Sequence, residues 1–386
     1  MKPYDLAFIG FGAAAMSLIA RLAQANWPGS LVVIEPDAIE RNDRTWCGWG
    51  PNQHPFSDQL TQTWSRWAVS QAQQSVIRDA PETPYEMLHA GGVRERARTM
   101  MQARSDWACL ADRALAHSHQ SANGVWQLRL NTDEDLSARW VLDARPPALS
   151  LTRPWLWQSF LGVEIQGPAF EDNDTVRLMD FVDAETPWPT FFYELPISAS
   201  RRLIEITQFV PEPGDMKALE STLHTELNRR GIDHTAIIRQ ELGHLPMAPI
   251  ASYNQNHWLR IGAAGGSMRP ATGYAFHAIQ RWADACAHSL ITQQQPIAPK
   301  RSRLLDWLDG VFLESLWRRP EQASQRFITL FEQTPPAALT RFLMGRASRV
   351  DIARVLLALP KGPMIRAAIA HTLRRASGAI QPNTPR

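Results

Sequence analysis

An α/β fold is predicted, with a parallel nucleotide-binding sheet, a substrate lobe on an antiparallel sheet and a helical C-terminal region. Three observations predict it. Residues 4–9 are an apolar strand that enters a glycine turn at 10–15 and a helix at 16–24, and residues 31–34 are a second strand, together a compact βαβ unit. Residues 176–182, 189–195 and 202–209 are short strands separated by turn residues, as in an antiparallel sheet. After Gly273 the chain is almost wholly helical to residue 376, with breaks at Pro296, Pro320, Pro335 and Pro360.

Between these anchors, residues 44–84, rich in Trp, Gln and Ser, are expected to be an excursion of loops and short helices. Residues 87–103 are expected to be helical, 124–130 and 140–142 to be strands, 215–228 a helix and 257–262 a short returning strand. This divides the chain into a first nucleotide-binding part at 1–150, a substrate lobe at 151–256, a return to the nucleotide-binding domain at 257–295 and a basic helical region at 296–386. There is no internal repeat, and only the last residues have a disordered composition.

A chain of 386 residues with 44% hydrophobic and 20% charged residues can bury more than one core and is neither fibrous nor disordered. Its three cysteines, Cys47, Cys109 and Cys286, form no CxxC pair, which excludes a disulfide framework or thiolate zinc site and suits a reducing cytoplasm. The N-terminus has no signal-peptide pattern, and no apolar run reaches membrane-spanning length. His117 and His119 lack acidic or cysteine companions, so they are expected at the surface and no metal site is implied. From residue 300 onward, 15 Lys and Arg face 6 Asp and Glu, a local +9 in a chain of net +2. Such a basic region suits an anionic lipid surface or nucleic acid, or is simply a set of solvated helix faces.

Gly10, Gly12 and Ala15 make a GxGxxA pattern between a strand and a helix, where small residues let main chain approach a pyrophosphate at the helix N-terminus. Glu35, ending the second strand, stands where a carboxylate can bind an adenosine ribose hydroxyl. This is the fingerprint of a Rossmann-type dinucleotide site, and its place near the N-terminus favours FAD. Asp143 ends an apolar strand, either flanking the adenine half or serving as a turn residue. Gly262, Gly265 and Gly266, then Thr272 and Gly273, join a strand to a long helix whose N-terminus could face a flavin ring or phosphate; a plain Gly-rich connection is the alternative.

The stretch DRTWCGW at 43–49 resembles a block of the lycopene cyclase family, and further blocks agree in order: WQSFLG at 157–162, RLMDF at 177–181, FYELP at 192–196, LIEITQF at 203–209, GHLPM at 243–247 and PATGY at 270–274. The resemblance spans roughly residues 1–360. It implies a Rossmann-type FAD-binding flavoprotein, active with reduced flavin and drawing electrons from NAD(P)H or a reductase partner. The implied reaction is a net non-redox ring closure at the end of a long polyene such as lycopene, giving a β-ring carotenoid. It also makes Glu205 the leading candidate for the proton donor.

Alkene protonation needs a carboxylic acid kept neutral in a dry pocket, where burial raises the carboxyl pKa. The residue pattern alone also fits an outward-facing Glu205, sharing a face with Leu203 and Thr207 and opposite Ile204, Ile206 and Phe209. Some versions of the family carry a second glutamate beside the first, where this chain has Ile206, so a second acid or base must come from elsewhere, such as Asp180, Glu194 or Glu241. Trp46, Trp49, Phe192, Tyr193 and Tyr274 in the matched blocks are candidate substrate-binding residues, their π faces able to steady a cation by about 1 to 2 kcal/mol each. In the C-terminal region Phe312, Leu316, Trp317, Phe327, Leu330 and Phe331 lie beside arginines, which suits peripheral contact with a membrane or packing on the core. True redox chemistry as a monooxygenase or reductase, cyclisation of another terpenoid, and a non-catalytic flavin or carotenoid carrier are the alternative readings.

Overall fold

A computed structural model describes residues 2–377 except 38–40, 51–52, 147, 168–169, 171, 183–185 and 251–253. The C-terminal residues with a disordered composition lie outside the described residues. In chain order the elements begin with β1 (Tyr4–Ile9), α1 (Ala13–Gln24), β2 (Leu31–Ile34), β3 (Thr45–Trp49), β4 (Leu60–Trp64), β5 (Arg66–Gln71), β6 (Gln74–Asp79), β7 (Tyr85–His89) and α2 (Ala90–Gln102). Next come β8 (Trp107–Leu110), β9 (Leu115–Gln120), β10 (Trp126–Leu130), β11 (Asp135–Asp143), β12 (Leu156–Gln166), β13 (Thr175–Phe181), β14 (Thr190–Ser198) and β15 (Arg201–Val210). The chain continues with α3 (Met216–Arg229), β16 (Ile237–Met247), β17 (Trp258–Arg260), α4 (Phe276–Gln293), α5 (Arg303–Arg318), α6 (Ala323–Gln333), α7 (Pro336–Leu343), α8 (Arg349–Ala358) and α9 (Lys361–Ala376).

Among the described residues these strands form three sheets. The nucleotide-binding sheet runs β8-β2-β1-β11-β10-β9. β11 pairs with β10 along its first half and with β17, in parallel, along its last three residues, so the chain returns to this sheet exactly where the fold predicts a ligand edge. Parallel strands covered on both faces read as continuous apolar runs, and every residue of β2 is indeed buried. The second sheet runs β16-β12-β15-β14-β13-β5-β6, and a small third sheet runs β3-β7-β4.

Three expectations are corrected here. Residues 44–84 are largely strand, not loops and short helices. They supply two strands of the small sheet and the last two strands, β5 and the edge strand β6, of the second sheet, so that sheet draws on more than residues 151–256. Edge strands need only one apolar face, and in β6 only Val76 is buried, so the segment's polar composition hid its pairing. The expected helix at 87–103 starts as β7, the middle strand of the small sheet, and turns helical only at Ala90. α1 begins at Ala13, directly behind the glycine turn, because three alanines extend it.

The second sheet is covered on both faces. One face packs on α3 through Leu161, Ile204, Ile206, Leu219 and Leu223. The other packs on the small sheet and on α5 to α8, through Trp49, Trp67, Phe209, Phe327, Phe331 and Leu339. The Phe327, Leu330 and Phe331 stripe is therefore core, each residue 5% exposed or less. Phe331→Ala, which removes a ring packed edge-on against Trp67 at 5.4 Å, should cost about 3–5 kcal/mol of stability. Chemical denaturation measures it, and a loss below about 1 kcal/mol would contradict a shared core of helices and sheet.

Candidate active site

At the nucleotide-binding edge, Gly10 ends β1 with φ +97°, a backbone conformation that favours glycine. Gly12 caps α1 without any side-chain hydrogen bond, and a Cβ placed on it would meet nothing within 4 Å. The first-turn N–H groups of α1 are thus open to an external acceptor. Ala15 is fully buried against the sheet. Gly262, with φ +63°, comes so near that a Cβ there would sit 3.2 Å from the Ala14 Cβ. α1 and α4 run parallel: Gln280 donates to Ser17 at 2.8 Å and Arg21 donates to Gln280 at 2.9 Å and pairs with Asp284. Their positive N-terminal ends therefore lie side by side, next to the Thr272-Gly273 turn. Glu35 accepts hydrogen bonds from the Phe11 and Asp37 amides, which fixes its carboxylate on this edge.

Other residues expected at this edge have structural employment. Asp143 is 1% exposed and ion-paired to Arg145 and Arg260; burial alone would raise its pKa, but the two guanidinium groups hold it below the usual carboxylate range. It ties β11 to β17. Gly265 is required by its turn, since a Cβ would stand 2.4 Å from the Arg260 carbonyl oxygen, and Gly266, at φ +83°, would press a Cβ on Arg301. Between the small sheet and α4 lies a buried trio: Glu86, with His54 and His277 each 3.7 Å from it. Burial, then His54, pushes His277 down to about 3, so its ring is neutral. Gly48 and Gly50 leave the room this ring occupies, a Cβ on Gly50 falling 2.1 Å from it.

Glu205 is buried on β15, on the face turned toward the small sheet. Register places Tyr193 of β14, Glu205, Gly162 of β12 and Glu241 of β16 in one row across four strands, on one face of the sheet. Gly162 makes the row possible, because a Cβ there would lie 3.2 Å from the Glu205 Cβ and 3.4 Å from its Oε2. The Thr207 hydroxyl donates to Glu205 Oε1 at 2.6 Å. Burial and then the Glu241 charge push Glu205 up to about 8, against the opposing pull of Thr207 and Arg239. Glu241 is 6% exposed and accepts from the Thr45 hydroxyl at 2.8 Å and from Arg239. Of the three candidates for a second acid, only Glu241 shares this face. Asp180 is opposite Phe192 on the α3 side, bonded by Ser70, and Glu194 is locked to Arg202 and Arg230. Leu203, Glu205 and Thr207 do share a face, but Phe209 joins it, being an even number of residues away.

An aromatic wall closes over the row. The Tyr85 hydroxyl lies 2.9 Å from that of Tyr193 and 3.1 Å from that of Tyr274, and Trp49 meets Tyr85 and Tyr274 edge-on at 4.7 and 5.6 Å. Burial raises the pKa values of all three tyrosines and of the Cys47 thiol, which touches the Tyr193 hydroxyl, so each stays protonated. Trp49, Tyr193 and Tyr274 are thus brought together with Glu205. Two other aromatic candidates are not. Strand alternation turns Trp46 away to stack on Phe276 at 5.6 Å, at the N-terminus of α4, and places Phe192 on the α3 face of the sheet. Tyr85, Gly162, Cys47 and Thr45 were missed; register alone reveals them, and register is not written in local pattern. His117 and His119 lie exposed on β9, and among the described residues no cluster of three His, Cys, Asp or Glu could hold a metal ion.

A two-layered flavoprotein-like architecture is also seen in known structures. PqsL, a probable FAD-dependent monooxygenase from Pseudomonas aeruginosa, superposes with a TM-score of 0.58 at 14% identity, over 92% of this chain and 100% of that one. A geranylgeranyl bacteriochlorophyll reductase-like protein from Thermoplasma acidophilum superposes with a TM-score of 0.60 at 13% identity, over 96% and 100%. The fold is therefore that of FAD-dependent oxidoreductase-like proteins. The model of the lycopene cyclase protein family matches residues 5–369, and the chain belongs to that family of enzymes. The lycopene beta-cyclase of Pseudescherichia vulneris is 26% identical over 95% of this chain and 97% of its own length.

The dryness of the pocket can be checked at Cys47. Iodoacetamide at about pH 8 should alkylate the half-buried Cys47 far more slowly in the native protein than after urea unfolds the chain, because burial raises its thiol pKa. Native alkylation as fast as in urea would contradict a desolvated thiol beside Tyr193.

Proposed function

We propose that the chain binds FAD along the α1 and α4 N-termini and closes a six-membered ring at the end of a linear polyene such as lycopene, yielding a β-ring carotenoid. The observation that carries this reading is Glu205: a carboxyl buried to the point of staying protonated near neutral pH, on a sheet face walled by Trp49, Tyr85, Tyr193 and Tyr274. The cradle suits a dinucleotide: Gly12 offers uncapped amides and open space to the pyrophosphate, Glu35 a carboxylate to the ribose, and the adjoining α4 N-terminus and Thr272-Gly273 turn a positive end to the ring system. FAD, reduced by NAD(P)H or a reductase partner, supplies negative charge that favours a nearby cation without net electron transfer.

The protein groups act as follows. Glu205 gives its proton to the terminal double bond, whose π electrons form the new C–H bond and leave a tertiary cation. The neighbouring double bond attacks that cation and closes the ring, and the Glu205 carboxylate left by the first step takes up a ring proton, which restores both the alkene and the acid, so substrate and product are isomers. The aromatic wall excludes water, which would otherwise trap the cation as an alcohol, and offers π faces to the positive charge. The neutral tyrosines and Cys47 present no anion that could compete for it.

Access from a lipid phase is part of the reading. No described helix is long and apolar enough to cross a membrane. α9, however, exposes Ile365, Ile369 and Leu373 four residues apart, 58–64% exposed, beside Arg366, Arg374 and Arg375. A stripe of this kind supports peripheral contact with an anionic bilayer, from which a polyene can enter.

Anaerobic incubation of the FAD-loaded protein with lycopene in liposomes tests the proposal, with chromatography and mass spectrometry as readout. Products of unchanged mass should form only with reduced flavin and fall at least 100-fold in Glu205→Gln, the scale expected for loss of a general acid. Unchanged lycopene beside a reduced flavin would overturn the substrate assignment, and an oxygen-dependent mass gain would assign the chain to monooxygenation.

A further inference from the structure

The sheet buries two carboxyl groups in one row, and the cyclisation as described uses one. Glu241 lies on the same face as Glu205, separated by the missing side chain of Gly162. The Glu241 charge opposes ionisation of Glu205 across this buried row, so the donors around each carboxyl decide which of them holds a proton. Those surroundings are asymmetric. Glu241 receives two donors from outside, the Arg239 guanidinium of its own strand and the Thr45 hydroxyl of β3. Among the described residues, Glu205 receives the Thr207 hydroxyl of its own strand. Tyr193 of β14, Cys47 of β3, and behind them Tyr85 of β7 and Tyr274 are neutral and draw no proton from Glu205, while the charged Glu164 of β12 on the same face is paired with His89 and Arg201.

Arg239 is itself held in place. It donates to the Asn42 carbonyl at 2.7 Å and lies 3.6 Å from Glu164 of β12, which also pairs with His89 of β7 at 2.9 Å and with Arg201. Glu164 is fully buried; burial would raise its pKa, but His89 and Arg201 draw it below the carboxylate range. The guanidinium is thus flanked by two carboxylates and cannot swing toward Glu205 without abandoning both.

We propose that Glu241 is the positioning partner of Glu205: pinned as the ionised member of the pair by Arg239 and Thr45, it leaves Glu205 as the member that carries the proton delivered to substrate. This inference rests on the cyclase reading above and assigns the strand-16 glutamate a role that the cyclase motif does not include. Glu241 touches Glu205's field, not the polyene, so its loss changes when the acid is protonated more than what the acid does.

The test is the pH profile of turnover for wild type, Glu241→Gln, Glu241→Asp and Glu205→Gln, each as FAD-loaded protein. Because Glu205 must be protonated, wild-type kcat falls as pH rises through about 8. Glu241→Gln removes the neighbouring charge and leaves burial, so the alkaline limb should move down by roughly one pH unit, lowering the rate about fivefold at pH 8 and little at pH 6. Glu241→Asp keeps the charge and should restore the limb. Thr45→Val removes one support of the ionised state and should move the limb in the same direction by less, which serves if Glu241→Gln does not fold. A limb unmoved in Glu241→Gln, or in Thr45→Val where that variant stands in for it, overturns the inference, as does an equal loss at every pH. Activity retained by Glu205→Gln overturns instead the cyclase reading on which it rests, so the two failures are distinguishable.

Discussion

Burying an acid is costly: a lone carboxylate moved from water into a protein interior loses several kcal/mol of hydration, and it responds by taking up a proton unless donors repay it. The site around Glu205 depends on this constraint. The chain repays Glu241 with Arg239 and Thr45 and, among the described residues, leaves Glu205 with the Thr207 hydroxyl. Everything else in the site follows from keeping that imbalance dry. The small sheet lies over the row with Trp49 and Tyr85, and α5 to α8 seal the same face of the large sheet with Phe327, Phe331 and Leu339. A cavity among those helices therefore reaches the acid through hydration.

The same economy explains the split between the two halves of the molecule. The nucleotide-binding sheet presents two parallel helix N-termini and a glycine turn, an edge built for negative charge. The acid row, on a different sheet, keeps Glu205 neutral beside a Glu241 held by Arg239. The small sheet mediates between them by strand alternation: Trp49 and Cys47 face the acid row, while Trp46 and Gly48 face Phe276 and His277 at the start of α4. One five-residue strand thereby sets the distance between the candidate cofactor edge and the candidate proton donor.

Much of the first half was legible in the residue pattern. Tyr4–Ile9 and Leu31–Ile34 appear as strands at those limits, since strands buried on both faces and a glycine turn leave local signatures. The helical C-terminal region was legible for the same reason. What was not legible depended on pairing. β4 and β6 look polar because only one face is buried, and β7 looks helical because its partners come from elsewhere in the chain. In the candidate site, Glu205 was found through a family block, while an alternating strand alone could have placed it in solvent. Glu241 was one of three candidates for a second acid, and nothing near it in the chain reveals that Gly162 puts it on the face of Glu205. Asp143 and Phe192 were legible as residues of interest, but a carboxylate's partners and a ring's face are decided by tertiary contacts.

The central claim is that the Glu205 carboxyl is protonated at neutral pH, and infrared spectroscopy measures it without substrate. The difference between wild-type and Glu205→Gln spectra should show the C=O band of a protonated buried acid at pH 6 to 7, bleaching as pH rises through about 8. A carboxylate signature already present at pH 6 would contradict the account, because an ionised Glu205 has no proton to give.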